Sequence, residues 1–370
     1  MEDAEEENLD KVQDLSDLEL AALLCLVADE HCIIATDDNL LNDLEQELRI
    51  SCSETFGLSC TVLECSASTT LDDFADGILL DHEYSSYFPK DIASDDVPEP
   101  GSFSAIIRTP KQRPSRAPGA FSPLHSRNIA EVVIAKNLDQ AQHHVQIQAL
   151  ELLRGRRIFT RTAIHTAPKR FLFIALLPAS GASNLTSLLN DHFFISHYHT
   201  AQDGFPNLED LGAMFQEDDK ASSSMRAGLS RSYSSASSRT SLFTKEDIDE
   251  LIHSMESVKL SAEVRTYLHN ITLFMRLHRA VAGGVSAHAT RNFHLLTRAL
   301  APLHGVDYVS PSLVALAARK IYPHRIIITR PENERSVQWG SSPEAMHDAL
   351  EGITVNDIIE DVLEEVEVPV

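Results

Sequence analysis

Glycine is scarce, with 14 in 370 residues against the usual share of about 7%. That leaves few places where the backbone can wrap closely around a ligand. Cysteine is sparse and confined to the first 65 residues: Cys25, Cys32, Cys52, Cys60 and Cys65. The number is odd and no pair forms CxxC, which argues against a disulfide framework or a zinc site and for buried thiols in a reducing compartment. Basic side chains are outnumbered, 31 Lys and Arg to 55 Asp and Glu, for a net charge of −24. A general grip on nucleic-acid phosphates is thereby disfavoured. No apolar run approaches the ~20 residues of a membrane span. The opening MEDAEEEN is acidic and lacks the apolar stretch of a secretory leader. A cytoplasmic protein without nucleic-acid or membrane partners is expected, and a nuclear one is left open.

What is present is patterned. Residues 1–100 hold 27 acidic side chains and 3 basic ones, whereas residues 101–170 hold 12 basic and 3 acidic. Such asymmetry suits docking between subunits or self-contact, and equally a solvated acidic surface with a basic loop. Ser16 followed by Glu19 is a capping-box pattern opening the helix DLELAALLCLVADE. The apolar run HCIIAT reads as a strand, LLNDLEQELRISCSETF as a helix, and SCTVLEC as a second strand. IAEVVIA and RFLFIALLP have the continuous apolar character of central parallel strands, and RIFTRTAIHTAP alternates like a hairpin. The spacing predicts an α/β core over 1–220, with a proline-rich loop over 89–127. A serine-rich linker is predicted over 221–243, where residues 222–241 are half serine and cannot bury a core. An entirely helical domain is predicted over 244–370, with starts at Thr244, Ser310-Pro311, Ser342-Pro343 and Thr354.

Two segments carry a resemblance. One is LHRAVAGGVSAHATRNFHLLTRALAPLHGVDYVSPSLVALAARKIYPHR (Leu277 to Arg325), with a Gly-Gly turn, two amphipathic helices and a basic His-Arg end. The other is VVIAKNLDQAQHHVQIQALELLR. Together they resemble AAA+ ATPases of the MoxR and magnesium-chelatase ATPase-subunit group, the first segment being similar to the α-helical lid. The resemblance implies a parallel-sheet core flanked by helices, a C-terminal lid, ring formation, and ATP and magnesium as cofactors. In magnesium chelatase the activity is the driving of magnesium insertion into protoporphyrin.

The groups such chemistry needs are replaced. A phosphate loop uses glycines to wrap phosphates, a lysine to offset their charge and a Ser/Thr to hold magnesium. No GxxxxGK[ST] occurs, and the strand HCIIAT is followed by Asp37, Asp38 and Asn39. These carboxylates would repel a triphosphate and read as helix N-terminal caps. The position of the magnesium-binding Asp-Glu pair holds Lys136 and Asn137, with Asp139 further on. Lysine binds no magnesium and asparagine is no general base. The sensor-1 strand ends in Leu177 and Pro178 instead of a polar residue. His192, in Asp191-His192-Phe193, stands where the family places an arginine finger, and would be cationic only part of the time. Gly284-Val285-Ser286-Ala287-His288 has histidine in place of the sensor-2 arginine, and Arg291 follows one turn later.

Five such losses together imply a retained shape without hydrolysis: a pseudo-ATPase in assembly or scaffolding, with no cofactor expected and with protein partners or self-association. The alternatives are an active magnesium-chelatase-type ATPase using ATP and magnesium through Arg291 and Asp139, and an adaptor that joins rings of active relatives through His192 and the basic 108–170 surface. His143-His144 and His197-Tyr198-His199 lack the carboxylate spacing of a metal site. Arg231 to Ser234 forms a basophilic kinase pattern in the linker. The tail DIIEDVLEEVEVPV reads as an acidic helix end.

Overall fold

Continuous apolar runs build the centre of the molecule. A computed structural model describes residues 2–80, 128–209 (162 excepted), 241–333 and 343–369. The 89–127 loop, nearly all of the serine-rich linker and its Arg231–Ser234 pattern lie outside the described residues. Five strands form one parallel sheet: β1 (Cys32–Thr36), β2 (Cys60–Glu64), β5 (Val132–Lys136), β8 (Leu172–Pro178) and β9 (Ile195–Tyr198), in the order β2-β5-β8-β1-β9. Val132–Lys136 is buried throughout, because a parallel strand with helices on both faces has no solvated side. The two faces follow the two-residue period of a strand. Val132, Ile134, Ile174 and Ile34 enter one apolar cluster, and Val133, Ala135, Phe173 and Ile33 enter the other.

The second face is covered by α4 (Leu71–Gly77), α5 (His143–Gly155) and α6 (Ser187–His192). A short antiparallel pair, β3 (Leu79–Leu80) with β4 (Asn128–Ile129), flanks it. The hairpin β6 (Arg157–Phe159) with β7 (Ile164–Thr166) extends from the end of α5. The first face is covered by α2 (Asp17–Ala28), in which every residue from Leu18 to Ala28 except Leu20 is buried, and by α3 (Leu41–Ile50). Above α2 lie the C-terminal helices: α7 (Lys245–Ser257), α8 (Ala262–Leu277), α9 (Ala287–Leu303), α10 (Pro311–Ile321), α11 (Pro343–Leu350) and α12 (Val355–Glu365). One apolar cluster runs from Val12 through Leu23, Ile134, Phe293 and Tyr322 to Val366. A first helix, α1 (Glu2–Gln13), joins this block: Asn8 reaches Glu250 at 3.1 Å and Lys11 reaches Asp247 at 3.2 Å.

Local signals explain most boundaries. Ser16 with Glu19, Thr244 with Asp247, and Thr354 with Asp357 are complete capping boxes. Ser310 caps α10, and Pro311 takes its first turn, where a missing N–H costs nothing. Two expectations are corrected. The helix predicted over 40–56 is regular only to Ile50 and then widens into a π turn, Ser51–Thr55. The C-terminal part is not wholly helical: β10 (Val281–Gly283) and β11 (Ile327–Ile328) pair antiparallel. Gly284 makes this possible. Its φ is +101°, and a Cβ there would stand 1.8 Å from the Arg325 carbonyl oxygen.

Candidate functional site

Parallel α/β sheets bind ligands beyond the carboxyl ends of their strands. That edge gathers Asp37, Asp38 and Asn39 after β1, Lys136, Asn137 and Asp139 at β5, and Leu177 and Pro178 at the end of β8. The link from β1 to α3 is four residues, closed by the Leu40 N–H donating to the Asp37 carbonyl at 2.9 Å. The expected capping by Asp37 and Asp38 does not occur. Leu40 occupies the N-cap position without a side-chain hydrogen bond, and Asp37 accepts from the Tyr198 hydroxyl at 2.8 Å. Asp37, Asp38 and Asn39 are all exposed.

Lys136 spans this edge. Its side chain is 8% exposed, and its ammonium donates to Asn42 Oδ1 at 2.5 Å and pairs with Glu45 Oε2 at 2.9 Å. The lysine crosses from the end of β5 to the first turns of α3. Asn137 sits in the left-handed region, φ 55°, and its N–H donates to the Leu176 carbonyl at 2.9 Å. Asn137 Oδ1 and Asp139 Oδ1 are buried without a hydrogen-bond partner among the described residues. Burial raises the Asp139 carboxyl above its ordinary range, against the Asn184 side chain and nearby N–H groups that lower it. Beside it, Gly181 admits close packing: a Cβ would lie 3.2 Å from Asp139 Cγ. Among the described residues, no group at this edge offers a cradle of N–H donors joined to a cation.

His192, His288 and Arg291 meet elsewhere. Glu30 and His31 precede β1, and the Phe194 N–H donates to the His31 carbonyl at 2.7 Å, so this cluster lies at the amino end of the sheet. The His192 and His288 rings are 5.0 Å apart, and Arg291 reaches His288 Nε2 at 3.4 Å and Glu30 at 3.9 Å. Burial, helped by His288, lowers His192 to about 4, below the ordinary imidazole range. Burial likewise lowers His288, against Asp191. Burial raises Glu30 to about 7, with Arg291 pulling the other way.

The strongest group in this seam is Arg325, whose side chain is 1% exposed. It donates to the carbonyls of Phe194 at 3.1 Å, Ile321 at 2.5 Å, Asp191 at 3.2 Å and Phe193, and lies 3.4 Å from Asp191 Oδ1. Burial depresses even this guanidinium, to about 10, against the pull of Asp191. Asp191 also accepts from Ser286 Oγ at 2.8 Å. The His-Arg end, Ser286 and Asp191 therefore fasten lid to core. Glu45, Asn42 and Glu30 had no sequence signal, because polar residues on a helix face or turn read as solvated. Beside the seam an open groove of about 1020 Å³ runs between α6 and the lid, lined by Leu188, Val281 and Ile327 among others.

His197 and His199 lie side by side, rings 6.4 Å apart, with Lys320 3.4 Å from His197, a cation that works against a metal there. His143 and His144 are exposed. His347 and Asp348 on α11 and Glu351 just past its end bring three ligand atoms within 4.8 Å of one another, all exposed.

A family model described as the AAA lid domain matches residues 273–347. A solved structure named a “putative ATPase”, from Cytophaga hutchinsonii, aligns over 100% of this chain and 98% of its own, with a TM-score of 0.63 at 14% identity. Proteins named maintenance of telomere capping protein 2 are 32% identical. The match with the Lachancea thermotolerans protein covers 107 residues, 28% of this chain and 38% of the relative. The match with the Saccharomyces cerevisiae protein covers 102 residues, 26% and 29%. The chain thus spans well under half of these curated relatives. The fold is that of an AAA+ protein, with a parallel core sheet flanked by helices and an AAA lid domain in its C-terminal part.

Proposed function

We propose that this chain is an AAA+-like protein that works in assembly or scaffolding and does not hydrolyse ATP. The observation that carries the reading is the Lys136 tie to Asn42 and Glu45, which places a buried cation and its counter-ion across the edge where phosphate and magnesium would sit. An ammonium at a magnesium position repels the metal, and Glu45 beside it repels phosphate. Titration calorimetry with ATP and magnesium is expected to give no binding; micromolar affinity would sink the reading. An active magnesium-chelatase-type enzyme would need Asp139 and Arg291 to serve one nucleotide, and the two stand at opposite ends of the sheet. The adaptor alternative keeps the same inert edge and differs only in its partner, an active relative.

A second reading concerns where the chain works. The printed name of the 32%-identical relatives refers to telomere capping. We infer a nuclear role of the same kind, through protein partners, since a net charge of −24 disfavours direct DNA contact. A fluorescent fusion at native level that stays wholly cytoplasmic would count against it.

A further inference from the structure

The chain reverses direction between α3 and the edge strand β2. The π turn Ser51–Thr55 runs into Phe56, Gly57 takes a left-handed φ of +60°, and the Leu58 N–H donates to the Cys52 carbonyl at 2.9 Å. Glycine permits this reversal because it has no Cβ to strain. The fold-back lays Cys52 beside Cys60, the first residue of β2, and the two side chains share a hydrogen bond. The Cys60 sulfur also lies 3.8 Å from the Thr61 carbonyl oxygen. Cys52 is 1% exposed, whereas Cys60 is only partly buried, on a strand that borders the sheet.

A second pair gives a contrast within the molecule. Cys25 and Cys32 also share a hydrogen bond, but both are fully buried where α2 packs on β1. Cys65 lies in the other apolar cluster. Only the Cys52–Cys60 pair is open to a reagent from water. Its two thiols are also unlike. The hydrogen bond from Cys52 pulls Cys60 below the ordinary thiol range, against burial and with help from the exposed Arg49, and the same bond pushes Cys52 up. The thiolate is the nucleophile of sulfur chemistry, so Cys60 attacks and Cys52 resolves.

We propose that Cys52 and Cys60 form a redox modification site, oxidised by hydroperoxides to a reversible disulfide that ties the π turn to β2. The Cys60 thiolate attacks one peroxide oxygen. A sulfur–oxygen bond forms, the oxygen–oxygen bond breaks, and the departing oxygen takes up the proton that Cys60 had released. The Cys52 sulfur then attacks the Cys60 sulfenic acid. The sulfur–sulfur bond forms, the sulfur–oxygen bond breaks, and the Cys52 proton leaves with that oxygen as water. Two thiols lose two electrons and the peroxide gains them. The same turn is an anchorage: the Phe243 N–H donates to the Thr55 carbonyl at 2.9 Å, and Asn207 Nδ2 donates to Ser51 Oγ at 3.1 Å. The disulfide therefore fixes to the sheet the turn from which the C-terminal block sets out. The site is independent of the scaffold reading, and ATP binding would leave it standing.

Peptide mapping of the reduced, folded full chain tests this. Cleavage after glutamate puts each of the five cysteines on its own peptide, Cys52 on 48–54 and Cys60 on 55–64. After brief exposure to hydrogen peroxide and alkylation of the remaining thiols, those two peptides are expected joined. Cys25, Cys32 and Cys65 should remain thiols, and dithiothreitol should undo the link. Before oxidation, iodoacetamide should label Cys60 about tenfold faster than the other four. In folded Cys52→Ser the Cys60 sulfenic acid has no resolving thiol, so dimedone should capture it; Cys60→Ser should give neither link nor adduct. The proposal is overturned if all five wild-type thiols survive, if Cys25 joins Cys32 first, or if Cys60 passes to sulfinic acid without the link. The wild-type map decides each of these even where a variant fails to fold.

Discussion

At the carboxyl end of the sheet one buried lysine, Lys136, is answered by one carboxylate and one amide, Glu45 and Asn42. At the amino end a buried arginine, Arg325, is answered by Asp191 and four backbone carbonyls, with Ser286, His288 and Arg291 gathered around Asp191 and Glu30. Both ends hold a cation out of water. The first uses it to tie the end of β5 to the start of α3. The second uses it to join two blocks of the chain. Charge that resembles catalytic equipment in the sequence is here committed to the protein itself, and its partners decide which.

The amino end gives the larger effects. Arg325→Leu is expected to destabilise the chain by about 3–5 kcal/mol, the cost of leaving Asp191 and the carbonyls of a buried ionic group unanswered. Urea unfolding measures it, and a change below about 1 kcal/mol would break the contrast drawn above. Next comes Glu30. Held at about 7 in the folded protein, against an ordinary 4.5, it binds a proton that the unfolded chain has already released. Its contribution is present at low pH and is lost as pH rises through 7. His31 works in the opposite sense. Burial lowers it to about 3, and it accepts from the Phe173 N–H at 3.2 Å, so its contribution is present above 6.5 and is lost as pH falls. The two offset each other between about pH 4.5 and 6.5. Glu30→Gln should therefore add about 2 kcal/mol at pH 8 and little at pH 4.5, so that stability falls with acid. Urea midpoints at several pH values test this; a variant with the wild-type pH profile would refute it. The smallest effect is Arg291→Ala. At 69% exposure and 3.9 Å from Glu30, the arginine should contribute within about 0.5 kcal/mol. A loss above 1.5 kcal/mol by the same method would mean it is built into the seam.

Strands and capping boxes were legible because they depend on neighbours in sequence. Val132–Lys136 and Leu172–Pro178 announce themselves by apolar runs, and Ser16, Thr244 and Thr354 by a carboxylate three residues on. Lys136 and His192 stand out in the sequence as departures from the pattern that the resemblance implies. Their fates were not legible. Lys136 meets partners 91 and 94 residues away, and nothing in LNDLEQELRI marks Asn42 or Glu45 as more than a polar face. The β10–β11 ribbon is two and three residues long, too short for alternation to register, and its enabling residue, Gly284, read only as a turn. That His288 and Arg291 lie far from Asp139 depends on how the lid seats against α2 and α6, a matter of packing.

Helix α2, buried from Leu18 to Ala28 save for Leu20, sits between the sheet and the C-terminal helices and contributes to one apolar cluster with both. Swinging those helices away would wet Leu23, Phe293 and Tyr322, none of which is measurably exposed at rest. At roughly 25 cal/mol for each Å² of apolar surface, such an opening approaches unfolding in magnitude. The joint is therefore a poor lever. In calorimetry the two blocks should melt in a single transition, a property suited to a strut and ill suited to a motor.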